Sequence, residues 1–192
     1  METKNDHRRD AILNEAVRVF GRFGYQKTSV QDIAAAAGLS KPGLYLHFSG
    51  KDEIFSAAIE KYLSDALDEV RRFLAQDAVT LDDRLLAAME TWFGRHLSTF
   101  TPQSFDVIEA GDRLSADKVE GVKHSLRQAI ANALIENGFT ESAASDRAQV
   151  LFLCGLSWKQ PGTTPEKFRS VMETCVRVCC GAKPLKIEEK TE

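Results

Sequence analysis

Proline is nearly missing from the interior of this chain. Its five residues stand at 42, 102, 161, 165 and 184, which leaves long stretches free to run as unbroken helices. Sustained alternation of apolar and polar residues is absent, which argues against strands, and no segment repeats at a fixed period. Long hydrophobic runs are missing too: a stretch such as 150–156 is far too short to cross a bilayer. No apolar segment follows the opening METKNDHRRD, so no secretory signal is expected. The expected location is cytoplasmic, with no membrane partner. Cysteine is sparse. Cys154, Cys175, Cys179 and Cys180 are expected to be reduced and packed as small apolar side chains. No histidine lies near them in sequence, so neither a metal site nor a cofactor is expected.

What is present is enough apolar material for a core, 43% of 192 residues. Charge is divided unevenly along the chain. Residues 1–51 carry eight Lys/Arg against five Asp/Glu, a balance of +3, and the remainder carries 17 against 23, a balance of −6. A basic head on an acidic body points to a polyanionic partner for the head. Arg8 and Arg9, ahead of the first apolar stripe, are expected to belong to a solvated tail.

The periodicity predicts a first helix over 9–22, with Ile12, Ala16, Phe20 and Phe23 at three- and four-residue spacing. Thr28-Ser29-Val30-Gln31 fits a capping box, Thr28 capping and Gln31 reaching back, for a second helix ending at Gly38. Ser40 caps a third helix, 41–48, with Pro42 in its first turn. A fourth helix is predicted from residue 51 or 52 to about 75, and others at about 81–99, 104–112, 117–137, 143–158 and 165–180.

The segment TSVQDIAAAAGLSKPGLYLHFSGK, residues 28–51, meets the physical needs of a helix-turn-helix. Ala34 lets two helices cross closely. Gly38 allows positive φ in the turn. Val30, Ile33, Ala37, Leu39, Leu44 and Phe48 tie both helices to a support. Lys41, Pro42, Gly43, Tyr45 and His47 are left to face a groove.

With the initial helix, the run AILNEAVRVFGRFGYQKTSVQDIAAAAGLSKPGLYLHFSGKDEIF resembles the DNA-binding module of the TetR/AcrR regulators over about residues 9–55. The resemblance implies an all-α fold: an N-terminal three-helix helix-turn-helix DNA-binding module, residues 1–51, plus a C-terminal helical ligand-binding and dimerisation domain, residues 52–192 (TetR-like). It also implies roles. Tyr45, His47 and Lys51 match phosphate-contacting positions. Thr28 matches a position where the second helix's N-terminus approaches a phosphate. Lys41, Pro42 and Gly43 match positions that meet base edges. Ser29 and Ser40 complete the DNA-facing set.

The implied partners are a double-stranded DNA operator, a second copy of the chain and a small-molecule effector. A homodimer reads a palindrome whose half-sites lie roughly 34–36 Å apart or a multiple of that. Its interface is expected on the last two helices, at Leu151, Cys154, Phe168, Met172, Cys175, Val176 and Cys179, with Leu153 and Leu156 beside them. The effector pocket is expected at Met89, Trp92, Phe93, His96, Phe100, Phe105, Glu109, Val122, His124 and Leu126, an aromatic set with a few polar groups suited to a small, largely apolar molecule. The same stripe also reads as ordinary core.

Catalysis finds little support. Phe48-Ser49-Gly50-Lys51 has Tyr45 and Asp52 where a phosphate loop needs Gly and Ser/Thr. Gly155-Leu156-Ser157-Trp158-Lys159 lacks the second Gly of a nucleophile elbow. The expected function is a transcriptional regulator, a repressor by the commoner family mode. A DNA-binding protein controlled by a protein partner, or by no effector, is the alternative.

Overall fold

The computed structural model describes residues 4–99, 101, 106–158 and 162–181. Among them every regular element is helical: α1 (Lys4–Phe23), α2 (Val30–Ala36), α3 (Lys41–Tyr45), α4 (Lys51–Leu74), α5 (Leu81–Met89), a π-helical turn (Glu90–Gly94), α6 (Arg95–Thr99), α7 (Asp106–Glu136), α8 (Glu141–Trp158) and α9 (Pro165–Gly181). No helix among the described residues is long and apolar enough to cross a membrane.

The chain divides into two compact units. The first comprises the described residues of Met1–Asp68 and Arg95–His124, the second those of Glu69–Gly94 and Ser125–Glu192. In the first, the stripe of α1 places Ile12, Ala16 and Phe20 in the core, while Phe23 is exposed. Phe20 meets Phe55 edge-on at 5.0 Å between centroids, and Tyr25 meets the same ring at 4.9 Å. Phe55 belongs to α4, so this core continues past residue 51. Ile33 and Ala34 of α2, Leu44 of α3, and Phe48 close it from the other side.

One feature of the helices departs from the periodicity, and another follows it. The run 81–99 stays helical but passes through the π turn, which holds Trp92 and Phe93 in the core side by side. The break expected between helices 104–112 and 117–137 is present within α7, at Ser115, which leaves helical geometry (φ −147°, ψ 19°). The Ser115 hydroxyl there donates to Ser56 Oγ of α4 at 2.8 Å.

The second unit packs α8 against α9 and against the π turn. Gly155 is the point of closest approach: a Cβ there would overlap the Phe93 ring and come within 2.9 Å of Met89 Cε. Phe93 also contacts the rings of Phe152 (5.6 Å) and Phe168 (6.5 Å). Arg84 is buried, and its Nη1 donates to Leu74 O at 2.9 Å, satisfying a carbonyl at the end of α4. Arg147 Nε donates to Cys179 O at 2.8 Å and does the same for α9.

Candidate nucleic-acid interface

The interface is built around two short helices, and their ends decide what is displayed. The cap of α2 is Ser29, not Thr28. Ser29 is extended (φ −105°, ψ 159°), and its Oγ accepts from Asp32 N at 3.2 Å. Asp32 Oδ2 accepts from Ser29 N at 2.8 Å and from Ser29 Oγ at 2.6 Å. These bonds, the one from the Ser29 hydroxyl foremost, hold the Asp32 carboxyl below its ordinary range. The capping box therefore runs Ser29–Asp32, one residue later than Thr28–Gln31. Thr28 is buried and donates its hydroxyl to Gly24 O at 2.6 Å, as a buried hydroxyl must find an acceptor. It neither caps α2 nor offers a hydroxyl to a phosphate. An ionised Asp32 already sits at this helix end, where an anion would otherwise be welcome.

Gly38 ends the turn with φ +65°. Its N–H donates to Ala35 O at 3.1 Å, and Leu39 N–H donates to Ala34 O at 2.8 Å, the paired bonds of a Schellman end. Nothing lies within 4 Å of where its Cβ would stand, so the demand for glycine is conformational rather than steric. Ser40 then caps α3, its Oγ accepting from Gly43 N at 3.2 Å, with Pro42 in the first turn. Helix α3 is shorter than the expected 41–48, because Leu44 O accepts from both His47 N and Phe48 N and tightens the last turn.

Lys41, Pro42 and Tyr45 (47% accessible) face outward, while Leu44 and Phe48 are buried. Leu46, which the motif did not mark, is 85% accessible. Gly43 is half-buried, and the space where its Cβ would stand lies 3.2 Å from Ser40 Oγ, toward the cap. His47 is half-buried, and its carbonyl accepts from Arg9 Nη1 at 2.6 Å. Arg9 also pairs with Glu53 at 3.3 Å and lies 4.1 Å from the Phe48 ring centroid. It fastens α1 to the end of the motif and is no solvated tail. Lys51 is likewise turned inward: its Nζ donates to Tyr25 O at 3.1 Å and lies 4.4 Å over the Tyr25 ring. One of its three N–H donors is thus committed to a carbonyl, with a ring face beside it.

A second group of residues, invisible to the motif, braces the turn between α1 and α2. Asp106, first residue of α7, accepts from Tyr25 N at 2.9 Å (Oδ1) and from Gln26 N at 2.6 Å (Oδ2). Thr101 donates its N–H to Gly21 O (3.0 Å) and its hydroxyl to Arg22 O (3.1 Å), satisfying the C-terminal carbonyls of α1. The Tyr25 hydroxyl donates to Asp52 Oδ1. Burial, then this bond, pushes the Tyr25 phenol up to about 12. The partners of Asp106 and Thr101 lie some eighty residues away, and Asp52 lies 27 from Tyr25, so no local pattern reveals them.

The remaining expected sites are distributed as follows. Met89, Trp92, Phe93 and Leu126 are buried in the second unit, Met89 and Phe93 at the Gly155 contact. In the first unit Val122 is half-buried, and Glu109 and His124 are exposed. His124 stands two residues before buried Leu126, about 200° around the helix, so it faces away from the core. Phe100, Phe105 and the His96 side chain lie outside the described residues. Of the expected dimer residues, Leu151, Phe168, Met172, Val176 and Cys179 are buried within this single chain, while Cys154 and Cys175 are half-buried. The five buried ones are covered by packing within the second unit and present no surface to a mate, whereas Cys154 and Cys175 keep part of theirs. The exposed apolar residues of these helices are the expected Leu153 and Leu156, together with Val150 and Val178.

Comparison with known proteins fits this geometry. Residues 12–58 match the family of bacterial regulatory proteins, tetR family. The chain is 39% identical over 90 residues to the HTH-type transcriptional activator FasR of Mycolicibacterium smegmatis, covering 46% of this chain and 40% of that protein. It is 30% identical over 95 residues to the HTH-type transcriptional repressor ComR of Escherichia coli, covering 48% and 42%. The matched part thus spans about two fifths of these relatives' length. A crystal structure from Mesorhizobium loti, described as a TetR-family transcriptional regulator, superposes with a TM-score of 0.71 at 18% identity, over 94% of this chain and 98% of that one. The segment 12–58 thus matches the tetR family, and the all-helical fold is shared with that crystal structure throughout.

Proposed function

We propose that this protein is a transcriptional repressor that binds a palindromic DNA operator as a homodimer and leaves it when a small, largely apolar effector binds. One observation carries the DNA-binding part: the outward strip Lys41, Pro42 and Tyr45 on α3, set there by the Gly38 turn and by the anchors Leu44 and Phe48. A short helix seated by its apolar face on a supporting bundle, with its other face bare, is the geometry that enters a major groove. Phosphate contacts are assigned to Tyr45 and His47, a base contact to Lys41, and the DNA-binding role to residues 1–51. Dimerisation is assigned to Val150, Leu153, Leu156 and Val178, with half-buried Cys154 and Cys175 beside them. The effector acts by favouring a conformation whose two recognition helices no longer match the operator.

The test is a binding titration against duplexes selected from a random pool, repeated between about 50 and 200 mM salt. Each cation–phosphate contact steepens the log–log slope by about 0.9. Selective binding with a clear negative slope is expected, and no duplex binding at low salt overturns the reading. Small molecules are then screened for release of the duplex. The alternative, control by a protein partner or by no effector, is favoured by the tight seating of Met89 and Phe93 against Gly155, which commits two expected pocket walls to packing. Trp92 and Leu126 remain the pocket candidates within the second unit.

A further inference from the structure

Leu46 is the most exposed of the large apolar side chains among the described residues. It follows α3 with φ −70° and ψ −18°, so the helical phase continues through it. At about 100° per residue it falls roughly 40° from Pro42. It therefore lies beside Pro42 and opposite buried Leu44 and Phe48, with exposed Tyr45 about 100° and exposed Lys41 about 140° around the helix. Leaving a leucine in water forgoes the gain from burying it, which fits a site covered only in a complex.

The chemistry of the strip narrows what it can read. From 39 to 48 there is no Arg, Asn or Gln, which leaves Lys41 as the strip's one side chain suited to pairing with guanine and none suited to the bidentate pairing with adenine. The strip offers one ammonium, one phenol and two apolar groups. In the major groove the thymine 5-methyl is the apolar group presented by a base pair. We propose that Leu46 is a specificity-determining residue that packs on a thymine 5-methyl group in each operator half-site. This rests on the DNA-binding reading above and adds to it the class of base that the strip selects.

The full-length protein is used to select duplexes from a random pool. Each thymine is then replaced singly by deoxyuridine, which removes only the methyl group, and Kd is measured at fixed salt. One thymine per half-site should respond, with roughly fourfold weaker binding, the worth of one buried methyl. Leu46→Ala should bind the thymine and deoxyuridine duplexes equally, while Leu46→Met keeps the difference. Because the site is exposed, both variants should melt with the parent protein. The proposal is overturned if no thymine position is sensitive, if Leu46→Ala retains the whole deoxyuridine penalty, or if Leu46→Ala changes self-association and leaves DNA binding intact. Loss of binding to every duplex by the parent protein itself sinks the DNA-binding reading and this proposal together. Salt-dependent binding without methyl sensitivity sinks this proposal alone.

Discussion

Tyr25 concentrates much of what holds the α1–α2 turn in place. Its ring packs on Phe20 and Phe55, its carbonyl takes Lys51, its N–H goes to Asp106, and its hydroxyl goes to Asp52. With the phenol raised to about 12 from an ordinary 10.0, the neutral form is favoured in the folded state. This contribution to stability is complete below pH 10 and is lost as pH rises from 10 toward 12. Denaturation between pH 9 and 12 should show that decline, and Tyr25→Phe should flatten it. An equal decline in both proteins would remove the assignment. Also at this scale, Ser29→Ala should cost about 1 kcal/mol by removing the α2 cap, and Thr28→Ala should act through its buried bond to Gly24 instead. The Thr-Ser pair was legible as a helix start. Which of the two caps was not, because burial of Thr28 depends on the turn at Gly24 and the packing of α1 beneath it.

At the scale of elements, two joints carry the most consequence. In the first unit, Asp106 holds two backbone N–H groups of the α1–α2 turn. Asp106→Ala leaves both without this acceptor, and the chain should lose about 1–2 kcal/mol in chemical denaturation. Asp106→Asn, which keeps an acceptor oxygen, should recover part of the loss. In the second unit, Gly155 admits the Phe93 ring against the backbone of α8. Gly155→Ala gains helix propensity on paper but overpacks this contact, so a net loss of about 1–3 kcal/mol is expected by thermal melting. A more stable variant would show that the contact yields cheaply. Helix periodicity located α8, α9 and the run 81–99 well. It placed a break around Ser115, but it gave no sign of the π turn or of Gly155 as a packing site, which depend on the residues packed against them.

For the whole molecule, the distribution of apolar side chains separates two roles that the sequence merges. Phe168, Met172 and Val176 are buried inside one chain, whereas Val150, Leu153 and Leu156 on α8 and Val178 on α9 stay exposed. Leu153→Glu should therefore shift sedimentation to the monomer and weaken operator binding, with the melting of the monomer little changed. Met172→Glu should instead unfold the chain, since it buries a carboxylate without a partner. Should Leu153→Glu remain dimeric at micromolar concentration, the assigned surface is not the interface.

The order of letters by itself determined the helical class, the turn at Gly38, the cap at Ser40 and the strip beginning at Lys41. Each depends on backbone conformation and spacing over a few residues, which local chemistry dictates. Tertiary structure alone decided that Lys51 and Arg9 serve the protein's own carbonyls and rings, that Asp106 braces the α1–α2 turn, that five of the seven expected dimer residues are core, and that Leu46 is bare. Those outcomes turn on which distant atoms compete for a charge or cover an apolar group, and that competition is settled only when the helices meet.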